Sequence, residues 1–360
     1  MAELSELMKV LYHIPSLHSI YAQRTIYHGF RNAFLNLGHE FKPLTADDNP
    51  HEVFENYRPD LFITATHFYY RKFLDYELLK KYRKLGMFTL VKVDFWRTPM
   101  GRCRINEAPS LQDDKVAIDL MRRDLFGDAY FHVVEQEDPR MEGFEQGVGM
   151  PFYTIPLAAD ATFLRPIPDK DFEADISYIG TYLPEKRDFF TGYVFPLGKR
   201  YKLRLYGQDW SRLDRGLGWV QRVGQYFNVP MLRSLRKPKL RLDDEARIYA
   251  SSIISINVHE QYQRKYGGDC NERTFKIPLC GGFEVVDDVA CIRRYFVPGA
   301  EMIIAEGKKD WRDKVEHYLK NPGDRLPIIE AGRARVLREH TYHHRVKQIM
   351  AIQQQCKVNK

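Results

Sequence analysis

The chain holds 360 residues, 44% of them hydrophobic and 29% charged, with a net charge of +7. That is too long for one ordinary domain and suits two of similar size, each able to bury a core. No apolar run approaches the roughly 20 residues that span a bilayer, and the start is too acidic and too short of apolar length for a signal peptide. The five cysteines (Cys103, Cys270, Cys280, Cys291 and Cys356) are scattered, odd in number and without a C-x-x-C pair. This argues against a disulfide framework or a zinc ribbon and fits a reducing compartment, so cytoplasmic residence is the expectation.

Residues 7–14 form a short apolar run closed by Pro15 and predict a buried strand. Helical spacing follows through Ile26, Phe30, Phe34 and Leu37, stopped by Gly38. Further strands are predicted over 61–65, 87–93, 129–134 and 152–155, with a charged helix over 70–85. A stretch with three prolines, 156–169, marks a linker. The alternation then resumes with strands over 174–180, 201–207, 252–258, 282–286 and 301–304, and with amphipathic helices over 310–319 and 324–339. A last helix over 340–355 is placed to cross back.

Strands alternating with helices predict an α/β fold of two Rossmann-like, doubly wound domains. The expected division is an N-terminal domain over 1–158, a linker over 159–171, a second domain over 172–338, and a C-terminal helix over 339–360 returning to the first domain. Two such domains facing across a cleft would bind ligands at the carboxyl ends of their strands.

The most informative stretch is 266–288. A glycine-containing loop (Tyr266-Gly267-Gly268-Asp269) leads to Asn271-Glu272-Arg273-Thr274, a short helix, the stop Cys280-Gly281-Gly282, and an apolar strand. That order gathers backbone N–H groups, a helix N-terminus and the Arg273 fork around one spot suited to a diphosphate. Gly180 and Thr181 close the opening strand of the second half, with Lys186 and Arg187 just beyond. The structural alternatives are a surface arginine at 273 and a solvated helix arginine at 187.

Several segments resemble the CgeB-like (spore-maturation-type) glycosyltransferases, relatives of the retaining glycosyltransferase family 4. They are Asp175-Ile-Ser-Tyr-Ile-Gly-Thr-Tyr-Leu-Pro-Glu-Lys-Arg187, Asn271-x-Arg273-Thr-Phe275 with Cys280-Gly281, Phe296-x-Pro-Gly299, Ala331-Gly-Arg with His340-Thr-Tyr-x-His-Arg345, and Pro156-Leu-Ala-Ala-Asp160. The resemblance is strong over 156–345 and weak before that. It implies the two-Rossmann GT-B fold and transfer of a sugar from a nucleotide-diphosphate donor to an acceptor hydroxyl, with retention. On architecture alone, periplasmic binding proteins, epimerases and some kinases share this plan. The donor-binding residues so implied are Gly180, Thr181, Arg187, Asn271, Arg273, Thr274 and Lys276.

Lys276 stands where the family usually carries a glutamate that grips the donor ribose, and a lysine cannot accept those hydrogen bonds. Two placements are open: a surface i,i+4 bridge to Glu272, or a cation facing the phosphates. In the first half, His67 and Asp94 each follow a buried strand and are the catalytic candidates. Asp94 could orient a hydroxyl or act as a base, in which case inversion is expected; His67 could donate to a sugar hydroxyl. A turn-capping aspartate and a packed loop histidine are the alternatives.

No metal or other cofactor is expected. Asp169-Lys-Asp171 precedes a strand rather than following one, and Thr341 stands between His340 and His344 where a zinc-protease motif needs glutamate. The basic stretch over 199–241, running from Lys199 to Arg241 and opposed only by Asp209 and Asp214, could meet an anionic partner: a polyanion or a membrane surface. With its interleaved aromatics it also leaves open a DNA-base glycosyltransferase. A non-catalytic nucleotide- or glycan-binding protein is the other rival.

Overall fold

The computed structural model describes residues 7–20, 22–98 and 110–358; residues 1–6, Tyr21 and Cys103 lie outside them. The chain divides into two compact units. One comprises Met1–Ser19, Phe30–Pro156 and Arg345–Lys360, the other Ile20–Gly29 and Leu157–His344.

The first unit holds six strands: β1 (Lys9–His13), β2 (Glu40–Leu44), β3 (Leu61–Ala65), β4 (Phe88–Lys92), β5 (Ala129–His132) and β6 (Phe152–Thr154). They pair in the order β2-β1-β3-β4-β5-β6, all parallel. By their register Leu11, Phe62, Val91 and Tyr130 share one face, which packs against Phe54 and Leu79 at one end and Leu120 and Phe144 at the other; Val10, Ile63, Leu90 and Phe131 on the opposite face are buried as well. Apolar residues on both faces are what a parallel sheet covered by helices requires.

β2 was not legible as a strand, because Glu40-Phe-Lys-Pro-Leu44 has neither an apolar run nor clean alternation. It lies at the sheet edge. Glu40 N donates to Met8 O, and Leu44 O accepts from Ile14 N. N–H and C=O of a given strand residue point the same way and alternate along the chain, so Phe41 and Pro43 direct their backbone groups outward. The N–H that Pro43 lacks is one the ladder does not use.

The second unit holds β7 (Ala174–Ile179), β8 (Leu203–Tyr206), β9 (Ser252–Asn257), β10 (Glu284–Asp287) and β11 (Ile303–Ala305), ordered β11-β10-β9-β7-β8 and again all parallel. Successive residues alternate between two cores. Ile176, Tyr178, Ile254, Ile256 and Val285 face Phe190 and Trp311, whereas Ile179, Val286 and Ile304 join Phe275 and Ile277. In both units the strand order reverses beside the first strand. The switch points lie between β1 and β3 and between β7 and β9, where doubly wound sheets bind ligands.

Just past β8, Gly207 has φ +113, and a Cβ there would lie 2.4 Å from Gly180 O, at the end of β7. Gly207→Ala therefore meets both a backbone conformation that L-residues avoid and a fixed carbonyl. We expect it to cost about 2–3 kcal/mol, read as a shift of the urea midpoint at unchanged slope; an unchanged midpoint would mean that this approach is not tight.

Candidate functional site

The switch point of the second unit is held by side chains. Asn257, the last residue of β9, receives Arg273 Nε (2.9 Å) and Asn271 Nδ2 (2.9 Å) on its carbonyl oxygen. Its amide donates to Glu284 Oε1 (2.7 Å) and Thr274 Oγ1 (3.1 Å). Arg273 also donates to Ile179 O (3.2 Å) and Val258 O (3.0 Å), so its guanidinium clasps the ends of β7 and β9. It lies over the Tyr178 ring, 5.3 Å from the centroid. Gly180 permits this: a Cβ there would come within 2.9 Å of Arg273 Nη1 and 2.5 Å of the Tyr178 hydroxyl.

The structure thus brings Gly180, Asn271, Arg273 and Thr274 together. The helix that begins at Arg273 (Arg273–Leu279) does not present open N–H groups, however. Asn271 Oδ1 accepts from Arg273 N (3.0 Å), Asn271 O from Thr274 N (3.3 Å), and Glu272 O from Phe275 N and Lys276 N. The cap closes over the donors that the sequence reading assigned to a diphosphate.

The network continues through residues not singled out in the sequence. Thr274 Oγ1 lies 3.3 Å from His259 Nε2, and His259 Nδ1 lies 2.6 Å from Asp287. Both Asp287 oxygens also accept from His259 N, and Arg264 pairs with one of them at 3.2 Å. Burial alone would raise the Asp287 carboxyl; His259 and Arg264 outweigh it and hold the pKa below the ordinary value. The available signal was polar residues inside apolar strands: Asn257 ending Ser252-Ile-Ile-Ser-Ile-Asn257, and Glu284 and Asp287 bracketing Val285-Val286.

Lys186 and Arg187 follow the same strand end. Lys186 is only 3% exposed and forms no ion pair among the described residues. Arg187 Nε is buried without an acceptor, its guanidinium over the Tyr182 ring. Tyr182 in turn stacks on Trp210, whose indole N–H donates to Gly180 O.

Lys276 takes neither of its expected placements in full. It is buried, and its ammonium lies 3.2 Å from Glu245 and 3.4 Å from Glu272. The i,i+4 bridge exists but is internal, because Glu245 arrives from the helix Asp244–Ser251 and covers it. Glu272 also accepts hydrogen bonds from the hydroxyls of Thr25 and Tyr342.

In the first unit, Asp94 lies beyond β4, half-buried; its Oδ2 accepts from Thr66 Oγ1 (3.0 Å), and its N–H donates to the same oxygen (2.8 Å). His67 precedes the turn Phe68–Arg71 and accepts from Tyr69 N (3.3 Å). At the end of β1, His13 contacts Thr64 Oγ1 at 3.0 Å while its Nε2 is buried without a partner, and burial lowers its pKa to about 3.

Part of the basic stretch is neutralised within the fold. Arg236 is buried against Asp209 (2.8 Å) and Asp214 (2.9 Å), Lys239 pairs with Asp214, and Arg200 with Glu316. Asp169 is tied to Arg247 at 3.0 Å.

Residues 192–351 match the protein family described as "Glycosyl transferase-like". Over nearly the whole chain the fold matches solved structures at low sequence identity. Sucrose-phosphate synthase of Thermosynechococcus elongatus gives a TM-score of 0.60 at 12% identity, covering 98% of this chain and 100% of that one. An α-glucosyltransferase in complex with UDP and a 13-mer DNA containing an HMU base gives 0.66 at 12% identity, covering 97% and 100%. Anabaena HepE in complex with UDP and glucose gives 0.57 at 11%, covering 96% and 99%. Among curated proteins, none matches the chain in sequence. The chain therefore has the GT-B fold, as the resemblance implied, and its residues 192–351 carry the match to a glycosyl transferase-like family. No helix among the described residues is long and apolar enough to cross a membrane.

Two predictions follow from the buried charges. Glu284 is held without charge: burial pushes its carboxyl from 4.5 up to about 8, against the opposing pull of Asn257 and Arg273. The folded state thus keeps a proton that the unfolded chain releases, and stability is lost as pH rises between these values. Glu284→Gln preserves the acceptor for Asn257 and removes the titration. From pH 5 to 8 the unmodified protein should lose on the order of 2–4 kcal/mol more than the variant in urea unfolding; parallel profiles would refute the assignment.

Lys276→Met leaves Glu245 and Glu272 facing each other without their cation. It should cost on the order of 3 kcal/mol at neutral pH, and a second change, Glu245→Gln, should recover part of that. A Lys276→Met protein that melts at the original temperature would show that the three charges are not coupled.

Proposed function

We propose that this protein is a CgeB-like glycosyltransferase that binds the diphosphate of a nucleotide sugar at the carboxyl end of β7 and passes the sugar to an acceptor hydroxyl. The carrying observation is Lys186. A lysine whose side chain is this enclosed and has no carboxylate partner among the described residues is costly, and here it sits beside Arg187 on the loop leaving the switch-point strand. An anion of two phosphates is the ligand that offsets this charge. Arg273 has two further N–H groups beyond its three bonds and stands at the same strand end. Gly180 and Thr181 allow close backbone approach, while Asn271 and Thr274 hold Arg273 and the helix in place rather than contact the phosphates.

In this reading Lys186, Arg187 and Arg273 stabilise the leaving diphosphate, so the reaction needs no metal. The anomeric configuration is retained, with the leaving phosphate helping to deprotonate the acceptor. Asp94 orients that acceptor, and His67 donates to a sugar hydroxyl. UDP-glucose is the first donor to test, because UDP occupies the HepE and α-glucosyltransferase structures. Cytoplasmic residence belongs to the same proposal: Cys270, Cys280, Cys291 and Cys356 are free thiols, as in a reducing compartment.

A DNA acceptor is the second reading, favoured by the likeness to the DNA-bound α-glucosyltransferase. The internal pairing of Arg236 and Lys239 weakens it. Transfer from UDP-glucose to DNA containing an HMU base, set against a glycan acceptor, separates the two.

Lys186→Met should act with opposite signs on stability and binding. The ligand-free protein should melt higher, since an unpaired buried charge is gone, while UDP binding weakens by about 2 kcal/mol and uridine binding is unchanged. A lower melting temperature, or equal losses for uridine and UDP, would place Lys186 outside a phosphate site. Asp94→Asn should reduce transfer at least tenfold with UDP affinity intact; transfer at the original rate would make Asp94 a structural turn residue.

A further inference from the structure

The helix Arg212–Tyr226 is amphipathic in the reverse sense. Its buried residues are Asp214, Gly218, Gln221 and Gly224. Asp214 accepts from Arg236 Nε (3.1 Å) and Lys239 Nζ (2.9 Å), and Gln221 Nε2 donates to Arg233 O (2.8 Å). A Cβ at Gly218 would lie 2.4 Å from the Arg236 guanidinium, and one at Gly224 would lie 2.3 Å from Leu232. The polar and glycine face is therefore the packed one.

The apolar face is left outward. Leu213 is 76% exposed, Trp219 59%, Phe227 68%, and Met231 on the following turn 75%. Among the described residues, no other stretch of similar length exposes as many large apolar side chains. At about 100° per residue, Leu213, Val220 and Phe227 share one side of the helix; Trp219 and Tyr226 come next, and Arg215 and Arg222 after them. Arg212, Arg222 and Lys237 form no ion pair among the described residues. Asp214, already buried, is the sole acid in the sequence from 212 to 242.

We propose that this face is a contact for an anionic lipid bilayer surface, reached independently of the donor reading. Side chains graded from aliphatic through Trp and Tyr to arginine match the order of depth in a helix lying at a membrane interface. A second copy would bring an equally basic rim against this one. Nucleic acid would satisfy the cations and leave Leu213, Phe227 and Met231 in water.

The test is flotation of the full chain with vesicles of phosphatidylcholine alone or mixed with phosphatidylglycerol, together with tryptophan emission. The expected result is low-salt binding to the mixed vesicles only, with a blue shift that Trp219→Phe abolishes. Arg222→Gln should weaken partitioning on the order of fivefold. Phe227→Ser with Leu213→Ser should weaken it at least tenfold, both variants keeping a melting temperature close to the parent's because Leu213 and Phe227 are largely exposed, Phe227 meeting the Tyr226 ring at the surface. The proposal fails if neither vesicle binds, or if the variants bind like the parent. It fails equally if Phe227→Ser dissociates a lipid-free dimer without touching vesicle binding, or if duplex DNA is bound in place of lipid.

Discussion

The side-chain amide of Asn257 meets four partners at once, and the geometry of the second unit's switch point follows from that. A carbonyl oxygen shared by Asn271 and Arg273 fixes both the cap of the helix Arg273–Leu279 and the direction of the guanidinium. The NH2 group, divided between Thr274 and Glu284, orients the threonine hydroxyl toward His259 and gives a buried carboxyl its one partner. With both donors and the acceptor of the Asn257 side chain engaged, this centre has one low-energy arrangement, although Glu284 Oε2 stays without a partner. Arg273 can then clasp β7 and β9 in a fixed position, which gives any ligand at those strand ends a rigid floor.

Charge around this floor falls into two kinds. The Asp287–His259–Arg264 and Glu245–Lys276–Glu272 groups are closed sets, in which each charge has its opposite within hydrogen-bond reach. Lys186 and Arg187 are not closed in this way. Removing a partner from a closed set damages folding, whereas an open cation costs stability, and under the proposed function a diphosphate is what offsets that cost.

Apart from β2, the strands of both sheets were legible as short runs rich in apolar residues bounded by glycine, proline or polar loop, and the loop–helix–glycine pattern at 266–282 located the central helix. What sequence could not supply was direction. Asn271 was read as part of a cradle, and instead closes the helix start, because its side chain turns toward Asn257 and the backbone. Lys276 could not be placed, since Glu245 lies thirty-one residues away on another helix. The periodicity of 212–226 marks a hydrophobic side, yet only the packing of Gly218 and Gly224 against Arg236 and Leu232 shows that this side faces out.

Pro43 has a consequence beyond its own strand. A parallel sheet could in principle grow by accepting an extended chain along β2, and that neighbour would need outward N–H and C=O groups in alternation. The outward residues are Phe41 and Pro43, and the second has no hydrogen to give. A docking strand would find one donor where it needs two, next to the Lys42 side chain, which carries a hydrated charge. The sheet therefore ends at six strands, and this flank is protected against runaway polymerisation by a single imino acid.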